Sequence, residues 1–253
     1  MSKFYITTAI AYVNGAPHIG FALESIQADV IARYHRQQDD QVFFLTGTDE
    51  HGAKITRAAE ELKLTPQQLV DTNAAKFKAL KELLNLSWDD FIRTTDQDRH
   101  WPNVINLWHK LEASGDIYKK NYRGLYCVGH EAFVTEKDLV DGKCRDHQSA
   151  PEIIEEENYF FRLSKYADQV KSLIESGQLN IYPQTRANEI LSFINQGIED
   201  ISFSRPRKDL DWGIPVPGDD TQTIYVWCDA LSNYLSQPDQ WPAELHVIGK
   251  DIL

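Results

Sequence analysis

The sequence has few cysteines, a single methionine and no apolar stretch long enough to cross a membrane. Its three cysteines are Cys127, Cys144 and Cys228, an odd number in a chain without a signal-peptide pattern, so a disulfide framework is not expected. Metal-binding or structural roles remain for them. Together, these absences predict a cytoplasmic protein with no membrane partner.

Positive charge is also scarce, because 26 Lys and Arg stand against 38 Asp and Glu, for a formal net charge of −12. Such a charge opposes non-specific attraction to nucleic acid, so any RNA contact is expected to be local. Candidate basic patches are Lys119 and Lys120 with Arg123, and the run 205–208. Short runs of this kind are equally typical of solvated surface. At 253 residues, the chain is expected to form one domain with a large insertion, or two domains.

The first candidate site lies where an amino-terminal strand leads into a helix. Residues 4–7 have strand composition, Asn14–Pro17 is typical of a turn, and His18-Ile19-Gly20 opens the helix. A helix start offers unpaired N–H groups to phosphate, so His18 is the expected contact, with a simple helix cap as the alternative. The helix is expected to bury one apolar stripe, consisting of Ile19, Ala22, Leu23, Ile26, Val30 and Tyr34.

A second apolar run, residues 41–47, ends in Thr48-Asp49-Glu50-His51-Gly52. If both runs are parallel strands, Asp49 and His51 lie at the same sheet edge as His18. The alternative is that Asp49 caps the helix expected to begin near Gly52.

Strands and helices alternate along the first half of the chain. Further helices are expected at 65–86, 96–111, 166–174 and 186–198, with Asp96 capping the second of them. The sheet is expected to resume with Thr223–Trp227 and again with Leu245–Gly249. This order predicts an α/β fold with a Rossmann-like, doubly wound parallel sheet that binds ligands at its carboxyl edge.

A matched pair of metal-ligand motifs lies in the polar segment 127–157. Cys127 and His130 repeat the C-x-x-H spacing of Cys144 and His147. Thiolate and imidazole groups at this spacing suit one tetrahedral Zn²⁺, and four protein ligands make the site structural. The alternative is two buried thiols and two solvent-exposed histidines.

The motifs Pro17-His18-Ile19-Gly20, Gly47–Gly52 and Val226–Tyr234 resemble those of bacterial methionyl-tRNA synthetases, which are class I enzymes, over nearly the whole chain. The resemblance implies a methionine–tRNA ligase that activates methionine with ATP and Mg²⁺ and transfers it to tRNA(Met). It also implies an inserted zinc-knuckle connective domain at 116–200, between catalytic halves at 1–115 and 201–253.

The resemblance assigns roles to individual residues. His18 and Gly20 would serve ATP and catalysis, with Asp251 near the ribose. The methionine pocket would consist of Ala9, Ile10, Tyr12, Asp49, Trp227, Ala230, Leu231 and Tyr234. Without the resemblance, Gly20 is a helix–strand packing position, Asp251 belongs to a turn, and the residues from Trp227 onward form a helical core stripe.

Three features depart from the family pattern. Phe21 replaces the second histidine of the H-I-G-H motif, and His130 stands where cysteine is frequent. The chain also ends at Leu253, before the K-M-S-K-S loop and the anticodon-binding domain, so an amino-terminal catalytic portion with weak or no activity of its own is expected. Alternatives are a non-catalytic, zinc-containing ligand-binding or interaction protein, and a ligase for another amino acid such as cysteine.

Overall fold

The computed structural model describes residues 2–130, 132–236 and 245–247. Its α-helices are α1 (Ile19–Gln37), α2 (Ala53–Glu61), α3 (Pro66–Leu83), α4 (Trp101–Ala113), α5 (Ala167–Glu175), α6 (Gln184–Asn195) and α7 (Val226–Ser232). Its strands are β1 (Lys3–Thr8), β2 (Ala11–Tyr12), β3 (Gln41–Asp49), β4 (Asp90–Arg93), β5 (Ile117–Cys127), β6 (Ala132–Val134), β7 (Leu139–Val140), β8 (Lys143–Cys144), β9 (Glu152–Phe161), β10 (Ile201–Ser202), β11 (Ser204–Pro206), β12 (Pro215–Val216), β13 (Asp219–Ile224) and β14 (Leu245–Val247). Among the described residues, no helix combines the length and apolarity of a membrane span.

A five-stranded parallel sheet organises the amino-terminal half. Its order is β14–β1–β3–β2, with β4 paired to β3. Ile6 of β1 lies opposite Phe44 on one side and Leu245 on the other, so β1 is an interior strand. Because the connections between parallel strands run through helices, the carboxyl ends of β1 and β3 meet at one edge. The predicted Rossmann-like α/β fold is therefore confirmed.

The buried face of α1 differs from the predicted apolar stripe. Ile19, Ile26, Val30 and Tyr34 are largely exposed, at 78%, 41%, 61% and 58%. The helix instead buries Gly20, Phe21, Glu24, Ser25, Ala28, Asp29 and Ala32. The prediction of that face was wrong because the two buried carboxylates have hydrogen-bond partners, which hydropathy does not register: Glu24 accepts from Ala9 N, and Asp29 from Ser87 N and Oγ.

Local signals placed the other helices more accurately. At the start of α3, Thr65 and Gln68 form a reciprocal capping box, followed by Pro66 at the first helical position. Asp96 does not cap α4, because its Oδ1 accepts from Asp98 N and Arg99 N, within the turn that precedes the helix.

The segment after α4 forms a separate antiparallel sheet of order β10–β9–β5–β6. The long pair β5 and β9 runs from Ile117 opposite Phe161 to Tyr126 opposite Glu152. Beyond β5, the short hairpin β7–β8 turns at Asp141 and Gly142, both of which have positive φ. This arrangement brings Cys144 back to the end of β5, where it packs in a small cluster with Cys127.

Of the two later strands predicted to rejoin the parallel sheet, Thr223–Trp227 and Leu245–Gly249, only the second does so among the described residues. Residues 223–224 belong to β13, which pairs antiparallel with β11 and β12 in a third sheet, and Val226 already begins α7. The apolar run 223–227 is therefore a strand end followed by a buried helix start, a distinction that periodicity does not resolve in so short a run. The second part is confirmed, because β14 pairs in parallel with β1.

Candidate active site and metal centre

The start of α1 carries an exposed histidine, His18, after the short strand β2. His18 is exposed and is the N-cap of α1, where its Nδ1 accepts a hydrogen bond from Gly20 N at 3.1 Å. The capping alternative is thus observed, but it also orients the ring. With Nδ1 acting as an acceptor, the neutral imidazole carries its proton on Nε2, which remains available as a donor.

Tyr12 and Asp49 are neighbours across the sheet. In the parallel pair β2–β3, Tyr12 lies opposite Asp49, and Val13 N donates to Asp49 O at 3.2 Å. Asp49 does not cap α2, whose N-cap is Gly52 without a side-chain hydrogen bond. Its side chain is 9% exposed. The alternative role of Asp49 as a helix cap is therefore excluded.

Tyr234 joins this group from the other end of the chain. The pKa of the Tyr234 hydroxyl is raised to about 12, mainly by burial. A hydrogen bond from the backbone of Ile10 lowers this pKa, whereas the negative charges of Glu24 and Asp49 raise it. The backbone oxygen of Tyr234 accepts a hydrogen bond from Tyr5 OH at 2.9 Å. Ile10, Asp49 and Tyr234 are thus brought together around one ring.

Helix α7 carries three more of the predicted methionine residues. Trp227 and Leu231 are about half exposed, at 53% and 55%, and Ala230 is partly buried. Trp227 and Leu231 are one helical turn apart and share a face. The core-stripe alternative therefore fails for Trp227 and Leu231, whose side chains lie on the open side of α7.

A buried cluster of one carboxylate and two imidazoles lies behind that face and was not predicted. Asp229 is fully buried, and its two carboxylate oxygens lie 2.6 Å from His51 Nδ1 and 2.6 Å from His100 Nε2. Burial alone would raise the pKa of Asp229, but the two imidazoles lower it below its ordinary value. The only sequence signal was an acid inside the apolar run Val226–Leu231.

Glu24 is a second residue that sequence reasoning missed. This carboxylate is 6% exposed and accepts from Ala9 N at 2.7 Å. It adds a negative charge near Asp49 and Tyr234 at the same sheet edge. Sequence reasoning missed Glu24 because it assigned the buried stripe of α1 to a different face of the helix.

The loop after β3 is held by Glu50. Its buried carboxylate receives both guanidinium donors of Arg93, at 2.7 and 2.8 Å, and the Thr48 hydroxyl. Its backbone oxygen accepts from Trp212 Nε1 at 2.7 Å. Such a bidentate pair fixes geometry as well as charge, so the loop that carries Asp49 and His51 is rigidly supported.

Enclosed space lies beside these residues. A cavity of about 220 Å³ is lined by His51, Trp101 and Trp212, among others. Another of about 470 Å³ lies between the start of α2, β9 and Arg205. Neither is lined by a residue predicted for methionine.

The four predicted metal ligands converge at the tip of the insertion. One donor atom each from Cys127, His130, Cys144 and His147 lies within 4.8 Å of every other. The measured Sγ–Nδ1 separations are 3.7 Å for Cys127–His147, 3.5 Å for Cys144–His130 and 3.6 Å for Cys144–His147. A tetrahedron with bonds of about 2.3 Å to sulfur and 2.0–2.1 Å to nitrogen requires a separation of about 3.6 Å. The cluster can therefore hold a metal ion.

Groups around the cluster favour this role. Both thiols are buried, and the Nε2 atom of His130 lies 3.0 Å from Asp146 Oδ2, an orienting contact typical of metal-bound imidazole. Burial and the neighbouring His130 lower the pKa of His147, which favours the neutral ligating form. Gly129 permits the close approach, because a Cβ there would lie 2.6 Å from His147 Nδ1.

Two other predictions have clear outcomes. Arg205 is not part of an exposed basic patch, since it is 7% exposed, pairs with Glu156 at 2.7 Å and stacks on Tyr126. Phe21 packs its ring edge-on against Phe77 in the core, so it supplies no hydrogen-bond donor. Asp251 lies outside the described residues.

Comparisons with known proteins agree with one another. The family model described as tRNA synthetases class I (M) matches residues 4–150 and 134–251. Methionine–tRNA ligases of Brucella suis biovar 1 (strain 1330) and Rhizobium meliloti (strain 1021) are 47% and 46% identical, over 99% and 100% of this chain and 51% of each relative. The structure of Mycobacterium tuberculosis methionyl-tRNA synthetase in complex with methionyl-adenylate superposes with a TM-score of 0.92 at 44% identity, covering 100% of this chain and 52% of that one. The chain thus spans about half the length of these relatives.

Proposed function

The chain belongs to the class I tRNA synthetase (M) family, and on that premise we propose that its sheet-edge site activates methionine as part of a methionine–tRNA ligase. In this reaction, a carboxylate oxygen of methionine attacks the α-phosphorus of ATP. The bond from that phosphorus to the bridging oxygen breaks, and pyrophosphate leaves with the electron pair. The product is methionyl-adenylate. A ribose hydroxyl of tRNA(Met) then attacks its methionyl carbonyl carbon, an ester bond forms, the anhydride bond to phosphate breaks, and AMP leaves.

One observation carries this proposal above the others. The chain matches a structure solved with methionyl-adenylate along its whole length, with a TM-score of 0.92. Among the described residues assigned to ATP and to methionine, Tyr12 and Asp49 lie at the carboxyl ends of paired parallel strands, and His18 begins the helix that follows β2. This is where ligands bind in open α/β folds.

The chemistry needs positioning and charge stabilisation more than covalent help. His18 would donate its Nε2 proton to a phosphate oxygen, since Nδ1 is held by Gly20 N. The N–H groups at the start of α1 would add a positive dipole. Gly20 lets a nucleotide approach the backbone closely. Mg²⁺, bound with ATP, would neutralise charge on the polyphosphate.

The methionine subsite would combine a charged end and an apolar end. Asp49 would pair with the substrate ammonium, with the nearby Glu24 adding negative potential. Sulfur packs favourably against aromatic rings, and Tyr12, Trp227 and Tyr234 offer such rings. The backbone and small side chains of the remaining predicted residues would complete this subsite, namely Ala9, Ile10, Ala230 and Leu231.

We also propose that the metal cluster holds one structural Zn²⁺. Four protein ligands fill the tetrahedron and leave no open position for catalysis. The ion would fasten hairpin β7–β8 to the end of β5 in the proposed connective segment 116–200. The antiparallel sheet of this segment is completed by β10, which follows it directly. Residues 1–115 and 201–253 are the proposed catalytic halves, and Asp251 is a proposed ribose contact.

The test is methionine-dependent exchange of labelled pyrophosphate into ATP by the purified, zinc-loaded chain, with a panel of other amino acids alongside. Exchange with methionine alone is the expected signature, and His18→Ala should abolish it. His109→Ala is the matched control, because His109 is an exposed histidine of α4 that pairs with Glu112 of its own helix. Exchange with cysteine in place of methionine would overturn the assignment, and exchange with no amino acid would overturn catalysis by this chain on its own.

Phe21 favours a second candidate, a ligand-binding protein without catalysis. Its ring occupies the core where the family motif has a histidine, and so removes a polar group from the helix start. Calorimetry separates the two candidates. Methionine binding without any exchange, at high protein concentration, would support the non-catalytic protein.

A further inference from the structure

The buried cluster His51–Asp229–His100 connects two parts of the proposed methionine site, the loop after β3 and helix α7, with the start of α4. His51 follows β3 and lies two residues after Asp49. Asp229 lies in the middle of α7, and His100 is the residue before α4. All three side chains are nearly or fully buried, with exposures of 3%, 0% and 0%. One carboxylate therefore holds the loop after β3 and the start of α4 against α7.

Because of helix geometry, this contact determines the direction in which the Trp227 and Leu231 side chains point. Each lies two residues from Asp229, which is about 200° around a helix, so both project from the face opposite the buried carboxylate. The observed exposures agree, at 53% and 55% against 0%. Whatever fixes the rotation and depth of Asp229 therefore also sets the direction of the two exposed side chains.

Helix α7 depends on such an anchor. It has seven residues, well below the roughly 12–15 needed for an isolated helix to be stable in water. His100 Nδ1 has no hydrogen-bond partner within the described part of the chain. An unpaired buried N–H would be costly, so the neutral ring with its proton on Nε2, donated to Asp229, fits the site.

We infer that Asp229, held by His51 and His100, is a positioning residue that sets the methionine-binding face of α7 relative to Asp49, and thereby determines side-chain selectivity. The inference rests on the proposed function for its ligand, but the anchoring itself does not. Asp229 is fully buried and would touch no substrate. It acts through Trp227 and Leu231, which would contact the thioether end.

The test replaces the charge and keeps the shape, in Asp229→Asn. An amide presents one acceptor and one donor edge, so it cannot accept from both imidazoles. Methionine affinity should fall about tenfold, and the preference for methionine over norleucine should shrink, while ATP affinity changes by less than about twofold. Loss of folded protein alone would lower all of these signals together.

A second readout does not depend on methionine binding. The chain is labelled with 5-fluorotryptophan, and the ¹⁹F resonance of Trp227 is assigned from Trp227→Phe. In Asp229→Asn this resonance should shift or broaden, while that of Trp88, buried in the main core, stays in place. If wild-type protein binds no methionine, the proposed function fails, yet the Trp227 resonance still decides the anchoring.

A matched control uses another buried acid away from the site. Asp116 is 1% exposed and accepts from Ser114, Lys165 and Tyr166. Asp116→Asn should lower stability but leave the Trp227 resonance and the selectivity ratio unchanged. If Asp229→Asn does not fold, His100→Gln, which removes one of the two imidazoles, should give a smaller shift in the same resonance. An unchanged Trp227 resonance in every folded variant would overturn the inference.

Discussion

Adding one methyl group at Gly129 should disable the metal centre. The Cβ of Gly129→Ala would lie 2.2 Å from His147 Cγ and 2.6 Å from its Nδ1, whereas ordinary contact begins at 3.4 Å, so the ring must retreat by roughly 1.2 Å. A metal–nitrogen bond of about 2.0–2.1 Å does not tolerate that displacement. The substitution replaces none of the four ligand residues, yet it displaces one of them.

The size of the effect follows from known metal sites. Losing a group that merely orients a ligand already weakens metal affinity about 10- to 100-fold. Displacing His147 itself should therefore weaken zinc binding by about 100-fold or more, which corresponds to about 2.7 kcal/mol. Because metal binding contributes to folding, the melting temperature of the zinc-loaded variant should approach that of chelator-treated wild type.

The assay is competition with a chromogenic chelator, followed by thermal melts with and without EDTA. Gly15→Ala is the control, since nothing lies within 4 Å of its added Cβ and the backbone there needs no positive φ. Zinc affinity for Gly129→Ala within about threefold of wild type would refute the geometry, and unaltered melting in EDTA would refute the structural role of the metal.

Three further predictions follow from individual groups. His18→Asn removes the proposed Nε2 donor, so methionine-dependent pyrophosphate exchange should fall about 100-fold with the methionine Kd unchanged, and an unaffected rate would contradict the role. Thiol titration should find no reactive cysteine in the zinc-loaded chain and two, Cys127 and Cys144, after the metal is chelated. The third, Cys228, should react only when the protein unfolds, because burial raises the pKa of its thiol. Hydrogen bonds, led by that of Lys165, hold the pKa of Asp116 well below the value of about 4 expected in the unfolded chain, so this carboxylate stabilises the fold above about pH 4 and ceases to do so as pH falls through its folded pKa. Melts from pH 7 to 2 should show the stability gap between wild type and Asp116→Asn narrowing below pH 4, and a constant gap would count against this.

The metal centre was the part of the site most open to prediction from sequence. Cysteine and histidine at repeated C-x-x-H spacing leave few other roles, and the measured separations match a tetrahedron. The fold class could also be predicted from the sequence, because alternating strand and helix patterns restrict the possible topologies. Both signals are local in sequence and rest on chemistry that tolerates little substitution.

Side chains with distant partners were much harder to predict. No pattern near Asp229 in the sequence predicts its contacts with His51 and His100, which are 178 and 129 residues away. The buried face of α1 was mispredicted for the same reason, since Glu24 and Asp29 are buried only because the tertiary fold supplies their donors. Hydropathy ranks residues by their affinity for water and cannot anticipate a partner brought in by the fold.

The place of β1 between β3 and β14 has a consequence for synthesis on the ribosome. The partner on one side of β1 follows within about forty residues, but the other, Leu245–Val247, is made more than two hundred residues later. At about 5–20 residues per second, that interval lasts on the order of 10–50 s. Throughout it, the nascent chain carries β1 as an open sheet edge with free backbone donors and acceptors, the kind of surface that chaperones shield and that neighbouring chains can pair with. Slow decoding of the intervening codons would lengthen that exposure, which makes translation speed, as well as amino-acid sequence, a determinant of how much folded protein the cell obtains.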